Sequence, residues 1–212
     1  MSDRFVEIYR TNEWGSEFKS GPGSAPERNK AYVQILTDTI ARVGAVSVVD
    51  LGCGDWSFSR LADWSGIDYT GVDVVPELVA ELNARYGAEN IRFVVGDSPV
   101  SHIPDADLLI SKDVLQHWSN EAVAAFLPRL GQFKYAILTN DLKIFRKGWR
   151  SLWRYRPTGE ANADTTMGGY RPLDLRAEPF GLQAEELASY GIEDGSHRFV
   201  KEVLLWTNPE SS

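Results

Sequence analysis

The sequence predicts an α/β fold with a parallel central sheet that finishes in an antiparallel hairpin. Three observations carry this expectation. Short apolar runs, each the length of a buried strand, recur between residues 45 and 141. Amphipathic or polar stretches separate most of them, which implies βαβ units with both sheet faces covered. The final apolar runs, in AEELASYGIEDGSHRFVKEVLLWTN, leave no room for a helix and enclose Asp194-Gly195, a dipeptide suited to a tight hairpin turn.

Taken in order, KSGPGSAPERNK (19–30) is rich in Gly, Pro and Ser and reads as a loop. Val33, Leu36, Ile40 and Val43 then form a helical stripe. AVSVVDLG (45–52) is the first strand, and FSRLADW (58–64) is the helix expected after it. DYTGVDVV (68–75) is the second strand, and Pro76 opens the next helix, where its missing N–H is not needed. IRFVVGD (91–97) and ADLLISK (106–112) are strands three and four. NEAVAAFLPRL is a helix that Pro128 kinks or ends, and YAILTND (135–141) is strand five. A plain dinucleotide-binding fold would add another parallel strand where this chain has its hairpin.

The 212 residues are 43% hydrophobic and 25% charged, ordinary globular usage at a length that predicts one domain. A formal net charge of -8 argues against general binding to nucleic acid, which needs a basic footprint. Cys53 is the one cysteine, so neither a disulfide nor a cysteine-held zinc is expected. His102, His117 and His197 lack metal-ligand spacing, and no metal site is expected. The N-terminus has no apolar leader core and no window reaches the length of a membrane span, so a cytoplasmic location is expected.

The stretch VVDLGCGDWSFS (48–59) carries the chemistry. Gly52 and Gly54 let the backbone turn sharply and approach a ligand closely. Asp50 ends the strand at the carboxyl edge, where open α/β sheets bind their ligands. A carboxylate there would repel a pyrophosphate, but it suits the cationic amine of S-adenosylmethionine. Asp73 ends the second strand and can accept hydrogen bonds from ribose hydroxyls, which fits NAD equally well. Asp97, ending the third strand, faces the place of an adenine amino group, with the Ser98 backbone beside it.

On these residues the chain resembles the class I S-adenosylmethionine-dependent methyltransferases, with their Rossmann-like fold, over residues 44–207. VVDLGCGD, YTGVDVV, FVVGDS and SKDVLQHW match the family's motifs in chain order. The resemblance implies S-adenosyl-L-methionine as cofactor, held by Asp50, Gly52, Cys53, Gly54, Asp73, Val74, Asp97, Ser98, Lys112 and Asp113. Where many members have a third glycine this chain has Trp56, expected to pack on the cofactor or wall off the acceptor. WGSEFKSGPGS (14–24) and YRPLDLRAEPF (170–180) look like blocks of an uncharacterised bacterial subgroup. The implied layout is a single domain. An N-terminal loop and helix cap (1–43) precede a cofactor-binding core (44–140), followed by an acceptor-side insertion (141–182) and the hairpin (183–208).

Methyl transfer to a hydroxyl or ammonium needs a base as well as alignment. His117 is the first candidate, against the alternative of a histidine that satisfies backbone groups, and Asp141 is the second. The loop SGPGS can fold over the cofactor with Trp14 as a wall. In DLKIFRKGWRSLWRYR (141–156), Phe145, Trp149 and Trp153 recur every four residues, a helical aromatic stripe beside six Lys or Arg. Three readings stand for it: a packed lid helix, an anionic-acceptor site using Arg150, or a helix on an anionic membrane surface. Tyr170 and Arg171 are further acceptor candidates. The expected reaction is methyl transfer to a small-molecule or saccharide-like acceptor at oxygen, with NAD-dependent oxidation or a non-catalytic scaffold as alternatives.

Overall fold

A computed structural model describes residues 2–13, 20–96, 103–148 and 151–211. Four helices, α1 (Ser2–Thr11), α2 (Lys30–Val43), α3 (Pro76–Tyr86) and α4 (Asn120–Phe126), pack with an eight-stranded sheet. The strands are β1 (Ser47–Leu51), β2 (Asp68–Asp73), β3 (Ile91–Val95), β4 (Leu108–Lys112), β5 (Tyr135–Gly148), β6 (Ser151–Thr158), β7 (Glu185–Asp194) and β8 (His197–Thr207). Their order is β3-β2-β1-β4-β5-β8-β7, with β6 pairing only β5. The first five run parallel, while β8 is antiparallel to both β5 and β7. The chain therefore ends in the expected antiparallel hairpin. The strand order reverses between β1 and β4, and the crevice at their carboxyl ends is the place such a sheet leaves for a ligand.

Alternation along β1 builds both core layers. Val48 packs with Leu36, Tyr69 and Leu78 beneath α2 and α3, whereas Val49 joins Leu109, Phe126 and Leu138 beneath α4. Both valines are fully removed from water, so each face holds a closed apolar layer.

Four local expectations need correction. After β1 there is no α-helix, only a 3-10 turn at Ser59–Leu61. Trp64 Nε1 donates to the Ser59 carbonyl at 2.9 Å and Ser59 Oγ to Asp50 at 3.1 Å, so side chains take the groups a helix would use. Trp56 does not face a ligand. At φ 55° it turns into the core, with its ring within 5.5 Å of those of Tyr69, Tyr86 and Phe93. Residues 141–156 are not a helical lid either, for β5 runs on to Gly148 and β6 folds back on it. The long strand β8 offers residues 135–146 a partner, and that pairing overrides the four-residue aromatic spacing. Finally, the last hairpin turns one residue later than expected, through Gly195-Ser196, with Asp194 and His197 as the closing pair.

α1 falls in a segment expected only as a loop. It buries Ile8 and lies against Gly168, where an added Cβ would sit 2.8 Å from Arg4 Cγ. Among the described residues no helix is long and apolar enough to cross a membrane.

Candidate active site

A cavity of about 450 Å³ opens at the crevice, within the range of small-ligand sites. On one side stands the turn after β1. Gly52 and Gly54 have φ of 72° and 56°, a region that L side chains rarely adopt. A Cβ on Gly52 would stand 2.4 Å from Val114 Cγ2, and one on Gly54 would stand 2.6 Å from Ser20 Oγ. The Gly54 N–H donates to Asp73 Oδ2 at 3.0 Å and the Val75 N–H to Oδ1 at 3.1 Å. A carboxylate accepts about four hydrogen bonds, so Asp73 keeps capacity for a pair of hydroxyls.

Asp50 accepts from Tyr69 Oη at 2.7 Å and from Ser59 Oγ. Burial pushes its pKa up to about 6 against the pull of those two donors. A buried carboxylate with so little compensation favours an incoming cation. Cys53 also lines the cavity, but its thiol is buried against the place a Gly71 Cβ would take, and burial pushes it well above the ordinary thiol range. Val74 lines the same wall.

The loop before α2 is strapped over this turn. The Asp55 N–H donates to Ser20 Oγ at 2.7 Å, and Ser57 Oγ donates to the Ser24 carbonyl at 2.6 Å. Asn29 Nδ2 holds the carbonyls of Gly23 and Ala25, each at 2.8 Å. Ser20, Gly21 and Gly23 line the cavity, as do Phe5 and Tyr9 of α1.

The opposite wall is a buried charge network. Lys112 Nζ pairs with Asp113, and Lys201 Nζ bridges Asp113 at 2.6 Å and Asp141 at 2.8 Å. Burial disfavours the charge on Asp113, yet the two ammonium groups outweigh it and hold its pKa well below the ordinary carboxylate range. The same two carboxylates raise the pKa of Lys201 against its own burial. Asp141 also accepts from Tyr170 Oη at 2.8 Å and from Gln116 Nε2 at 3.3 Å. Asp141 is thus engaged by three side chains, those of Lys201, Tyr170 and Gln116.

His117 ends a 3-10 turn (Leu115–His117) and lines the cavity. Its Nδ1 lies 2.7 Å from the Gly169 carbonyl, so Nδ1 carries a proton and donates it to that oxygen. Burial lowers its pKa, with the Gly169 bond opposing. The loop that supplies Gly169 is zipped on by Gly168 N–H to the His117 carbonyl at 2.9 Å and Arg171 N–H to the Gln116 carbonyl at 3.3 Å.

The sequence-predicted residues thus divide. Asp50, Gly52, Cys53, Gly54, Asp73, Val74, Lys112, Asp113, His117, Asp141 and Tyr170 meet around one cavity. Asp97, Ser98, Trp14 and Arg150 lie outside the described residues. Arg171 is not an acceptor contact. It does not line the cavity, and its buried guanidinium donates through Nη1 to the Leu115 carbonyl at 3.1 Å and through Nη2 to Asn120 Oδ1 at 2.9 Å, anchoring the loop. Gln116 and Lys201 were missed. A lysine and a glutamate set inside the apolar run FVKEVLLW signal that the strand buries charge, and that was the available clue to Lys201.

With this geometry in place, a family profile described as "Methyltransferase domain" matches residues 48–133. Over that segment the chain is similar to this family. The match runs from β1 through α4 and takes in the glycine turn, Asp73 and His117. Among solved structures, the chain is similar to the 1,6-didemethyltoxoflavin-N1-methyltransferase of Burkholderia thailandensis, solved with 1,6-didemethyltoxoflavin and S-adenosylhomocysteine. The identity is 20% and the TM-score 0.62, over 97% of this chain and 87% of that one. It is also similar to the N-methyltransferase NodS of Bradyrhizobium japonicum, in complex with S-adenosylhomocysteine, at 12% identity and TM-score 0.57 over 93% and 98%. The magnesium protoporphyrin IX methyltransferase of Synechocystis, with bound S-adenosylhomocysteine, matches at 16% identity and TM-score 0.52 over 82% of each chain. At these identities the likeness shows the fold, and none of the curated proteins matches the chain.

Proposed function

We propose that this protein is a methyltransferase that uses S-adenosylmethionine to methylate a hydroxyl of a small, saccharide-like molecule, with His117 as the base. When bound, the cofactor supplies an electrophilic methyl group on a sulfonium. The residues present fit it. Asp50 offers a carboxylate to its amine, Asp73 keeps acceptor capacity for its ribose, and the strapped loop at Ser20–Ser24 covers the turn between them. The single observation that carries the base assignment is the His117 Nδ1 bond to the Gly169 carbonyl, which places the ring's proton on Nδ1 at the cavity wall. A hydroxyl held there loses its proton to a neutral imidazole as the methyl arrives.

Tyr170 and Phe199, with ring centroids 6.4 Å apart, support the acceptor class. They stand beside Gln116 and Asp141, and a polyhydroxylated small molecule meets both ring faces and hydrogen-bonding groups there. Lys201 and Tyr170 hold Asp141 in place, so in this account that carboxylate orients the acceptor.

The test is turnover of labelled S-adenosylmethionine across a panel of hydroxylated small molecules. His117→Ala should lower kcat by about a hundredfold to ten-thousandfold while leaving the affinity for S-adenosylhomocysteine in place. Because burial lowers the pKa of His117, the acid limb of the rate profile should fall below the ordinary histidine value of about 6.5. Full turnover by His117→Ala, with Asp141→Asn inactive, would move the base to Asp141.

A further inference from the structure

The cavity floor is a face of the β7-β8-β5-β6 sheet, and that face does not stop at the cavity. Residues directly opposite in antiparallel strands share a face, as do residues two apart along one strand. Lys201, Phe199, Ile192 and Asp194 line the cavity from this face. Ile192 pairs with Phe199, which pairs with Ile144. In the next row outward Asp194 pairs with His197, His197 with Arg146, and Arg146 with Arg156. The same face therefore carries a polar row at Asp141 and Lys201, an apolar row at Phe199, and then a row holding two arginines and an imidazole. The tilted rings of Phe199 and His197, with centroids 6.1 Å apart, join the last two rows.

Arg146 and Arg156 stand directly opposite each other and exposed, an arrangement that repels unless an anion lies between them. No carboxylate of the described residues forms an ion pair with either. The one acid in the row, Asp194, is already paired with Arg28 at 3.0 Å. In a chain of net charge -8, an uncompensated pair of guanidinium groups continuous with the active-site floor is a local exception.

We propose that Arg146 and Arg156, with His197 beside them, form a subsite for a phosphate or diphosphate group carried by the acceptor. This deepens the reading of the site as a methyltransferase centre and rests on it. Paired arginines suit phosphate because each presents a planar fork of N–H donors. From Lys201 to His197 is four residues of strand, roughly 14 Å. The acceptor is then an anionic small molecule whose reacting hydroxyl and phosphate lie about that far apart, with an apolar or ring-like middle over Phe199.

Calorimetric titration of the full chain, saturated with S-adenosylhomocysteine, with pyrophosphate as probe tests the subsite. Pyrophosphate should bind the native chain, and its affinity should fall by at least on the order of tenfold in Arg146→Gln and further in the double variant with Arg156→Gln. Affinity for S-adenosylhomocysteine should stay unchanged in both variants, which also shows that they fold. No pyrophosphate binding to the native chain, or equal binding by the double variant, would overturn the subsite. Vesicles containing phosphatidylglycerol provide the second arm. If they retain the native chain but not the double variant, while pyrophosphate binds neither, the arginines serve a lipid surface and the proposal is wrong. Failure of S-adenosylhomocysteine to bind the native chain would count against the methyltransferase reading, and the pyrophosphate titration would still read the subsite by itself.

Discussion

Around the glycine turn, the groups that face the cavity lie close to strand ends. Asp50, Gly52 and Gly54 share one turn, and Asp73 ends the neighbouring strand, its carboxylate bonded to the Gly54 N–H. Across the cavity, Gln116, Asp141, Tyr170 and Lys201 come from four separate stretches and are held together by charge and hydrogen bonds rather than by a turn. The first wall is made of backbone conformation and tolerates no Cβ at two positions. The second is an electrostatic network in which Lys201 bridges Asp113 and Asp141 and Lys112 joins Asp113. The two walls should therefore fail differently when broken.

The largest effect is expected from the network. Lys201→Ala leaves Asp141 buried without an ammonium partner and Asp113 with Lys112 alone, and should destabilise the fold by about 3–5 kcal/mol. Urea unfolding would measure it. Removing Asp141 as well should recover part of the loss, because the stranded charge disappears with it. An additive double variant would mean that the two residues do not act as a pair.

A smaller, pH-dependent effect belongs to the other wall. Asp50 is held up to about 6, so between about pH 4 and pH 6 the unfolded chain ionises it and the folded chain does not. Its contribution to stability is full below that window and is lost as pH rises through it, by up to about 1.4 kcal/mol per pH unit. Asp50→Asn should therefore leave the unliganded protein no less stable at pH 7 to 8. It should nevertheless weaken S-adenosylhomocysteine binding, whose rise between pH 5 and pH 7 should flatten in the variant. A binding curve that stays level with pH in the native chain would separate Asp50 from the ligand's amine.

The smallest change is expected from Arg171→Met. Its guanidinium holds Leu115 and Asn120, so the variant should lose about 1–3 kcal/mol of stability with little change in acceptor KM. A large rise in KM with stability intact would return Arg171 to the acceptor site.

The contrast between the walls also explains what was legible in the sequence. The first wall is local. A strand, an acid, two glycines and a second acid at the next strand end can be read from VVDLGCGD and YTGVDVV without knowing how distant segments meet. The parallel sheet and final hairpin were readable for the same reason, since strand-length apolar runs and a turn dipeptide are short-range signals. Lys201 became visible only when β8 paired with β5 and set it opposite Asp141. Likewise Phe145, Trp149 and Trp153 fit a helix until β8 supplies a partner for β5. Trp56 and Arg171 misled because an aromatic or an arginine near a motif has the same appearance whether it meets a ligand or the core.

The most direct measurement is calorimetric titration of the purified chain with S-adenosylhomocysteine, with Asp73→Ala alongside. With Asp73 proposed to take the ribose hydroxyls, removing its carboxylate should weaken binding by about a hundredfold or more. Micromolar binding by the native chain that collapses in Asp73→Ala is the predicted result. Equal binding by both, or binding of NAD in place of S-adenosylhomocysteine, would contradict the assignment of this cavity.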